Sequence, residues 1–525
     1  MDFRIIYRRR ALWGQRRIVQ IRQVSVIAIL VLLAAGCTSN SQYRKTSGMI
    51  PPVLVSQLEK REDIDDGAGS KQCAELLFRN RSIEKFRSSD GEIFTIGVIE
   101  LSDDGHIKDI RQRDEVFREL KRVARGGDVA SPSSPGAVVV TFVHGWHHRA
   151  KVCDENLSCY RRVMEGLVVR KRDRENKGPV FGIYIGWRGE SARHLSPLTF
   201  YGRKAAAHRV GGLGGRDLLL QLGQMQRDLD RDIRDVSKGE RYVNMVTVGH
   251  SFGGALVYSA MESLNVSEYA GIHGVGYTAC KDSPKPIRSG VGDIVILVNP
   301  AFEAKRYRYF ADEVNSPGDY SPGQRPVLLT VASTADQAVG TAFPVGRALW
   351  LAWHPRAWQN GRAQITGLGH YDPYTTHRLI FSGPAAIPNE AKPLTDEQAL
   401  THCDLQEERK KGLVRATCDC SYPVYKETPA RDVSALRPGA SQTPDLLKEG
   451  EGSVHALNAD VILQPIKAAN KNVPYIVASA PPNLISGHND IYNPNFILFL
   501  IGYINSTLPG PGPSKPISEE IPACL

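Results

Sequence analysis

Apolar runs rich in β-branched residues recur along the chain and predict strands that are buried on both faces. These runs lie at 92–101, 137–143, 180–187, 243–248, 293–298, 327–332 and 473–478. Segments with helical spacing separate them, notably 111–124, 217–236 and 253–264. Alternating buried strands and helices predict the α/β class, with a mostly parallel sheet covered by helices on both faces.

The regular spacing of strands stops after Asp336, and a long polar, proline-rich interval precedes His488. We interpret 384–470 as an insertion before the last strand, either a cap over one end of the sheet or a large ordered loop. An excursion far from any site is the alternative. The predicted core then comprises 71–383 and 471–525, the latter including a tail.

The first 36 residues differ from the rest, with a long arginine-rich lead and an apolar run at 24–35. This run is too short to favour a membrane-spanning helix, so 1–36 is interpreted as a signal peptide. Its end, Leu33-Ala-Ala-Gly-Cys37, resembles a bacterial lipoprotein signal. The resemblance implies a lipid on Cys37, a tether over 37–70 and a place in the bacterial cell envelope, facing the periplasm or exterior. Leu33 lies four positions before the cysteine instead of the usual three, which leaves simple secretion or an uncleaved anchor open.

The formal net charge of +10 does not indicate a nucleic-acid partner. Residues 1–36 hold seven Arg and one Asp, so the remainder keeps 59 basic and 55 acidic residues, a net of +4. The basicity therefore belongs largely to the targeting segment.

Nine cysteines are present, and eight are left if Cys37 is lipidated. An even number in an exported chain favours disulfides, and Cys153 with Cys159 is the first expected pair. The cluster of His402, Cys403, Cys418 and Cys420 could instead bind a metal, although Cys-x-Cys is not the usual zinc spacing.

The chemistry centres on Gly249-His250-Ser251-Phe252-Gly253, which ends the apolar run 243–248 and opens a small-residue helix. A strand that turns abruptly into a helix holds its turn residue in a strained conformation and exposes the serine hydroxyl. The predicted nucleophile is Ser251. An ordinary strand-to-helix turn is the alternative.

A serine nucleophile needs a base, and the base needs an orienting acid, in the chain order Ser, acid, His. Asp336 follows the run 327–332, and His488 lies between the last predicted strand and the last predicted helix. They are the expected acid and base. Other bases considered are His370 and His377, and the other acid is Glu303. His250 is expected to support the turn, and Asp490 to cap a helix.

Donors for the negative oxygen of a tetrahedral intermediate are expected from two backbone N–H groups. Phe252 follows the nucleophile, and Trp146 lies in the loop after 137–143. The neighbouring His147 and His148 are interpreted as surface or pocket-rim residues, with metal ligation as the alternative. The glycines of 211–215 are interpreted as a flexible helix start rather than an anion cradle.

The motifs Val143-His-Gly-Trp146, Gly249-His-Ser-Phe-Gly253 and Gly487-His488 resemble the α/β-hydrolase superfamily, in its bacterial serine esterase and lipase-like branch. The resemblance covers about 92–338 and 473–503. It implies the α/β-hydrolase fold and a triad of Ser251, Asp336 and His488, with oxyanion donors at Trp146 and Phe252. The expected activity is hydrolysis of a small-molecule or lipid carboxylic ester through an acyl-enzyme, without a cofactor or metal. Alternatives are another acyl hydrolase (thioesterase, amidase or peptidase) and a non-catalytic envelope binding protein.

Overall fold

The computed structural model describes residues 42–46, 81–87, 92–126, 136–151, 154–169, 178–190, 196–237, 243–273, 291–314, 325–353, 361–381, 455–458, 461–466 and 473–507. The expected signal peptide (1–36), Cys37 and the possible metal cluster at 402–420 lie outside the described residues. So does most of the expected tether (37–70) and of the expected insertion (384–470).

Eleven described strands form one mixed sheet. In chain order they are β1 (Ile83–Arg87), β2 (Ile93–Glu100), β3 (Ala137–Val143), β4 (Val180–Gly186), β5 (Val243–His250), β6 (Ile294–Val298), β7 (Leu328–Ser333), β8 (His377–Phe381), β9 (His455–Asn458), β10 (Val461–Pro465) and β11 (Tyr475–Ala480). Their order across the sheet is β1-β2-β4-β3-β5-β6-β7-β11-β8-β10-β9. Every neighbouring pair from β2 to β8 is parallel, whereas β1, β10 and β9 pair antiparallel at the two margins.

Seven helices of at least eleven residues are described. They are α1 (Ile110–Ala124), α2 (Glu155–Val169), α3 (Ser196–Val210), α4 (Arg216–Ser237), α5 (Phe252–His273), α6 (Phe343–Trp353) and α7 (Pro494–Thr507). One apolar core lies between one face of the sheet and α1, α3, α4 and α5, and a second lies between the other face and α2 and α7. The predicted α/β class with a mostly parallel sheet and helices on both faces is confirmed.

Burial on both faces explains why the predicted strands are found. Each residue of β3, β4, β5, β6 and β7 is buried, so the runs are continuous and do not alternate with polar positions. All seven predicted strand segments contain a strand, with ends that differ by at most two residues.

The margin beyond β11 was not predicted from the sequence. Strand β8 pairs parallel with β11 through Ala478 and Ser479, and β10 and β9 extend the sheet antiparallel from it. Both β9 and β10 belong to the segment interpreted as an insertion, so this part of it continues the sheet. Strand β8 alternates buried and exposed residues, as a strand with one covered face does.

Candidate active site

The turn between β5 and α5 consists of one residue, Ser251. Its φ is +56°, a left-handed conformation that costs free energy for a residue with a side chain. The turn is fixed on both sides, because the Ser251 N–H donates to Val298 O (3.1 Å) and the Ser251 carbonyl accepts from Ala301 N–H (3.1 Å). The sharp strand-to-helix turn predicted from the sequence is therefore present.

The two motif glycines are required by close backbone contacts. A Cβ on Gly253 would lie 2.1 Å from the carbonyl oxygen of Val143, and one on Gly249 would lie 2.8 Å from the carbonyl oxygen of Gly253. Both distances are too short for a carbon atom beside an oxygen. The spacing of Gly, Ser and Gly thus follows from how tightly the start of α5 packs on β3 and β5.

Ser251 Oγ lies 2.8 Å from His488 Nε2. On the other side of the ring, Nδ1 lies 2.7 Å from Asp336 Oδ2. Because an ionised carboxylate can only accept, Nδ1 carries the hydrogen and Nε2 is left to accept from the serine hydroxyl. The ring is thus held in the tautomer in which Nε2 can take a proton from Ser251.

Asp336 lies in the turn between β7 and α6, with a fully buried side chain. Both of its oxygens are hydrogen-bonded, Oδ2 to His488 and Oδ1 to the N–H of Val339 (3.0 Å). A buried carboxylate that accepts on both oxygens is held in one orientation. The strands β5, β7 and β11, whose carboxyl ends lead to Ser251, Asp336 and His488, lie in the order β5-β6-β7-β11, so their ends share one edge of the sheet. We call this the carboxyl edge.

Asn299 is a residue of the site that the sequence analysis missed. It follows β6, is fully buried and has φ +45°. Its Nδ2 donates to the carbonyl oxygens of His488 (2.9 Å) and Gly487 (3.3 Å), and its Oδ1 accepts from Ser333 N–H (2.8 Å). The amide thereby ties the His488 loop to the end of β7. Asparagine tolerates left-handed backbone better than most residues, and its position directly after a buried strand was the signal available.

His250, which was expected to support the turn, contacts the loop of the predicted base, His488. Its Nε2–H donates to the carbonyl oxygen of His488 (2.9 Å). Burial lowers the pKa of His250 well below its ordinary value, and the neighbouring His488 lowers it further. The ring is therefore neutral and acts as a fixed donor, so two side chains, those of Asn299 and His250, hold the backbone of His488.

The loop after β3 lies directly against Ser251, the predicted nucleophile. A Cβ on Gly145 would be 2.9 Å from Ser251 Cβ, and the Trp146 ring is 6.1 Å from that of Phe252. Phe252 is the first residue of α5, where a backbone N–H has no acceptor within its own helix. The positions of both residues suit the predicted oxyanion donors. Their role as donors stays a prediction.

The shape of this loop depends on His144. Its Nδ1–H donates to Gly145 O (2.9 Å), its Nε2 accepts from Trp187 N–H (3.1 Å), and the Trp187 indole N–H donates to His144 O (2.9 Å). Burial lowers the pKa of His144 to about 4, so the ring is neutral near pH 7, as this donor and acceptor pattern requires.

The alternative acid, Glu303, has other partners. Its carboxylate contacts Lys204 Nζ at 2.6 and 2.7 Å and Arg347 at 2.9 Å. Burial works to raise the pKa of Glu303, but Lys204 and Arg347 outweigh burial and bring it below its ordinary value. Glu303 is therefore an ionised partner of two cations and does not orient His488.

The alternative bases do not meet Ser251 either. His377 lies in β8, and its Nδ1 contacts Thr376 Oγ1 at 2.9 Å. His370 lies near Asp336 and His488, packed against Gly340, and burial lowers its pKa despite the opposing charge of Asp336.

The remaining polar candidates contact side chains or backbone groups near them. His148 contacts Asp154 (3.2 Å), and His147 contacts Glu190 (3.3 Å). No group of three metal-ligating side chains occurs among the described residues. Asp490 accepts from Ser486 N–H (2.8 Å), and the first turn of α7 is capped by Asn493 instead.

The glycine-rich segment 211–215 forms a π-helical turn between α3 and α4. A Cβ on Gly211 would lie 2.1 Å from Leu256 O, and one on Gly214 would lie 1.8 Å from Gly105 O. These glycines serve close packing against α5 and against the turn after β2.

Cys159, in α2, is disulfide-bonded, whereas Cys153 lies outside the described residues, so their pairing stays a prediction. Within the described part of the chain, no helix has both the length and the apolar character needed to cross a bilayer. Comparisons with protein-family models, curated proteins and solved structures find no match to this chain.

Proposed function

We propose that this protein is a serine hydrolase of the α/β-hydrolase type that cleaves a carboxylic ester through an acyl-enzyme. One observation carries the proposal: Ser251 Oγ, the His488 ring and Asp336 Oδ2 form a continuous chain with contacts of 2.8 and 2.7 Å. The serine in this chain is held at positive φ on a one-residue turn. This is the set of contacts that activates a serine hydroxyl.

In the proposed reaction, Ser251 Oγ attacks the ester carbonyl carbon while His488 Nε2 takes its proton. When the tetrahedral intermediate collapses, the bond to the alcohol oxygen breaks and Nε2 returns the proton to that oxygen. Water then attacks the acyl-enzyme with the same base and releases the acid and free Ser251. Asp336 stays ionised and stabilises the imidazolium that forms in each half-reaction.

The negative oxygen of each intermediate would lie between the backbone N–H groups of Trp146 and Phe252. The close approach of Gly145 to Ser251 supports this arrangement, because it places the loop that contains Trp146 beside the residue that precedes Phe252. Loss of one such donor costs roughly 3–4 kcal/mol of transition-state stabilisation in enzymes of this kind.

The test is covalent labelling of the full chain with a fluorophosphonate. We expect one equivalent of probe on Ser251 and none in Ser251→Ala. Ser259→Ala is the matched control, since Ser259 is a buried serine on the same helix whose hydroxyl donates to Ala255 O (2.9 Å), and this variant should label normally. A folded protein that takes no probe would favour a binding protein. A panel of chromogenic esters, thioesters and amides then separates the ester hydrolase from other acyl hydrolases.

We also propose that Cys37 carries a lipid and anchors the protein in the bacterial cell envelope. The support is the sequence Leu33-Ala-Ala-Gly-Cys37 after an arginine-rich, apolar lead. Metabolic labelling with palmitate should modify the protein, and Cys37→Ser should abolish that label without changing fluorophosphonate labelling.

A further inference from the structure

Residues 42–46 are fixed to the folded body. The Arg44 side chain is fully buried, pairs with Glu84 (2.6 Å) and donates through Nε to Ala150 O (2.7 Å). The backbone N–H groups of Tyr43 and Arg44 donate to the Glu100 carboxylate at 2.9 and 2.7 Å. Pulling the guanidinium out would break a buried ion pair and a buried hydrogen bond, which is costly. The chain is therefore held to the body near Gln42.

This attachment lies on the carboxyl edge, the edge that carries Ser251. Glu100 ends β2, and Ala150 belongs to the segment that follows β3. Strands β2 and β5 are separated by three spacings in the order β2-β4-β3-β5, which is about 14 Å. The point where the chain joins the body is thus close to the active site.

The chain between the expected lipid and this attachment is short. Residues 38–41 separate Cys37 from Gln42, and five Cα–Cα steps span at most about 18 Å. A seven-residue strand adds roughly 23 Å between the carboxyl edge and the opposite edge. A lipid on Cys37 therefore keeps the carboxyl edge within reach of the bilayer and favours an orientation with the opposite edge away from it.

The carboxyl edge also carries exposed apolar side chains. Ile110, Leu213 and Val345 are 57%, 49% and 56% exposed, the three largest fractions among the described large apolar residues. Ile110 begins α1 and Val345 lies in the first turn of α6, while Leu213 packs on Gly105 in the turn after β2. Each position follows the carboxyl end of a strand or contacts such a turn.

Exposed cations lie beside the attachment. Lys45 and Lys151 are exposed, and Lys151 Nζ is 5.8 Å from the centre of the Tyr43 ring. Apolar side chains with ammonium groups beside them suit the boundary between acyl chains and anionic headgroups.

We propose that the carboxyl edge docks on the bilayer that holds the Cys37 lipid, so that Ser251 acts on esters presented at that membrane surface. This inference rests on the proposed lipid anchor and extends the proposed ester hydrolysis to membrane-borne substrates. In this arrangement, Ile110 and Leu213 enter the headgroup region, with Lys45 and Lys151 facing anionic lipid.

The test uses the lipidated full chain in vesicles of phosphatidylethanolamine and phosphatidylglycerol. An environment-sensitive fluorescent amino acid replaces either Ile110 or Ile93, and doxyl-labelled phospholipid serves as the quencher. Ile93 is the matched control, because it is 46% exposed but lies at the start of β2, on the opposite edge. We expect quenching several-fold stronger at 110 than at 93. Equal quenching, stronger quenching at 93, or none at either position would overturn the inference.

A second variant tests whether the short segment between Cys37 and Gln42 holds the carboxyl edge at the membrane. Inserting ~20 Gly and Ser residues between Cys37 and Gln42 frees the body from the surface, and we expect quenching at 110 to fall. Unchanged quenching at 110 would overturn the role assigned to the short segment. Fluorophosphonate labelling of the same samples in detergent reports on Ser251 separately, so failure of the docking and failure of the hydrolase proposal are distinguishable.

Discussion

Two carboxylates at the carboxyl edge, Asp336 and Glu303, show how different partners lead to different roles. Each is buried and follows a neighbouring strand, Glu303 after β6 and Asp336 after β7. Asp336 accepts from an imidazole and a backbone N–H, whereas Glu303 is paired with Lys204 and Arg347. An imidazole can exchange a proton with a substrate group, but a paired ammonium and guanidinium hold their protons. The two carboxylates share their position at the ends of neighbouring strands. Their partners decide which of them can orient an imidazole, as the proposed chemistry requires, and which is held in an ion pair.

The largest effect is expected from Asp336→Asn. The amide keeps the size of the side chain but stabilises the wrong tautomer of His488, so turnover should fall by about 10⁴-fold, as in other triads. The free energy of unfolding of this variant should change little. Steady-state kinetics with a chromogenic ester and a thermal melt measure both quantities. Turnover close to that of the unmodified protein would remove Asp336 from the proposed triad.

The variant Glu303→Gln should show the opposite pattern, with a loss of stability and little loss of turnover. Removing one partner of a buried ion pair leaves Lys204 uncompensated, and we expect a loss of about 3–5 kcal/mol in the free energy of unfolding. Activity per folded molecule should stay within a few-fold. Urea unfolding, combined with active-site titration by the fluorophosphonate, separates the two quantities. A collapse of turnover in fully folded protein would make Glu303 part of the catalytic machinery.

A third carboxylate, the partly buried Asp293, lies at the opposite edge, before β6, and extends the comparison to the pH dependence of stability. Burial raises the pKa of Asp293 to about 7, although Met245 N–H and Gln226 donate to it at 2.7 Å. Its folded pKa lies above the unfolded one, so its contribution to stability is complete below about pH 4 and is lost as pH rises to about 7. The total is on the order of 4 kcal/mol.

The variant Asp293→Asn should remove the contribution of Asp293 to the pH dependence of stability. Urea unfolding of the two proteins from pH 4 to pH 8 gives the difference in stability at each pH. We expect the difference to change steadily in favour of the variant up to about pH 7 and then level off. A difference independent of pH would show that Asp293 has the same pKa in the folded and unfolded chains.

The variant Asn299→Asp tests whether the side-chain amide of Asn299 positions His488. Aspartate tolerates the same left-handed backbone and keeps an acceptor for Ser333 N–H, but it cannot donate to His488 O. We expect a drop in kcat of about 10²-fold from misplacement of the imidazole, with KM little changed. Asn299→Gly, which relieves the backbone but lacks the amide, should show a comparable drop. If both variants keep full kcat, the amide does not position His488.

The smallest effect is expected from His370→Gln. This histidine is near Asp336 and His488 but does not reach Ser251, so turnover should change by no more than a few-fold. A loss as large as that of Asp336→Asn would return His370 to consideration as the base. The same kinetic assay decides between these outcomes.

The sequence by itself determined the parallel sheet and the residues now found in the Ser251, His488 and Asp336 chain. Buried strands produce continuous apolar runs, and Gly249 and Gly253 mark the sharp turn, because both features follow from nearby residues. The residues at the ends of neighbouring parallel strands then meet at one edge, which brought the expected acid and base to the expected nucleophile.

Only the tertiary structure decided which buried polar groups pair. Asn299 and His250 both bind the carbonyl of His488, and Glu303 binds Lys204, a residue on a different element. Residues 42–46 dock beside the candidate active site through Arg44, within a segment whose composition had predicted a tether. These contacts join residues far apart in sequence, and a hydrogen bond depends on distance and direction in space, which hydrophobic periodicity does not specify.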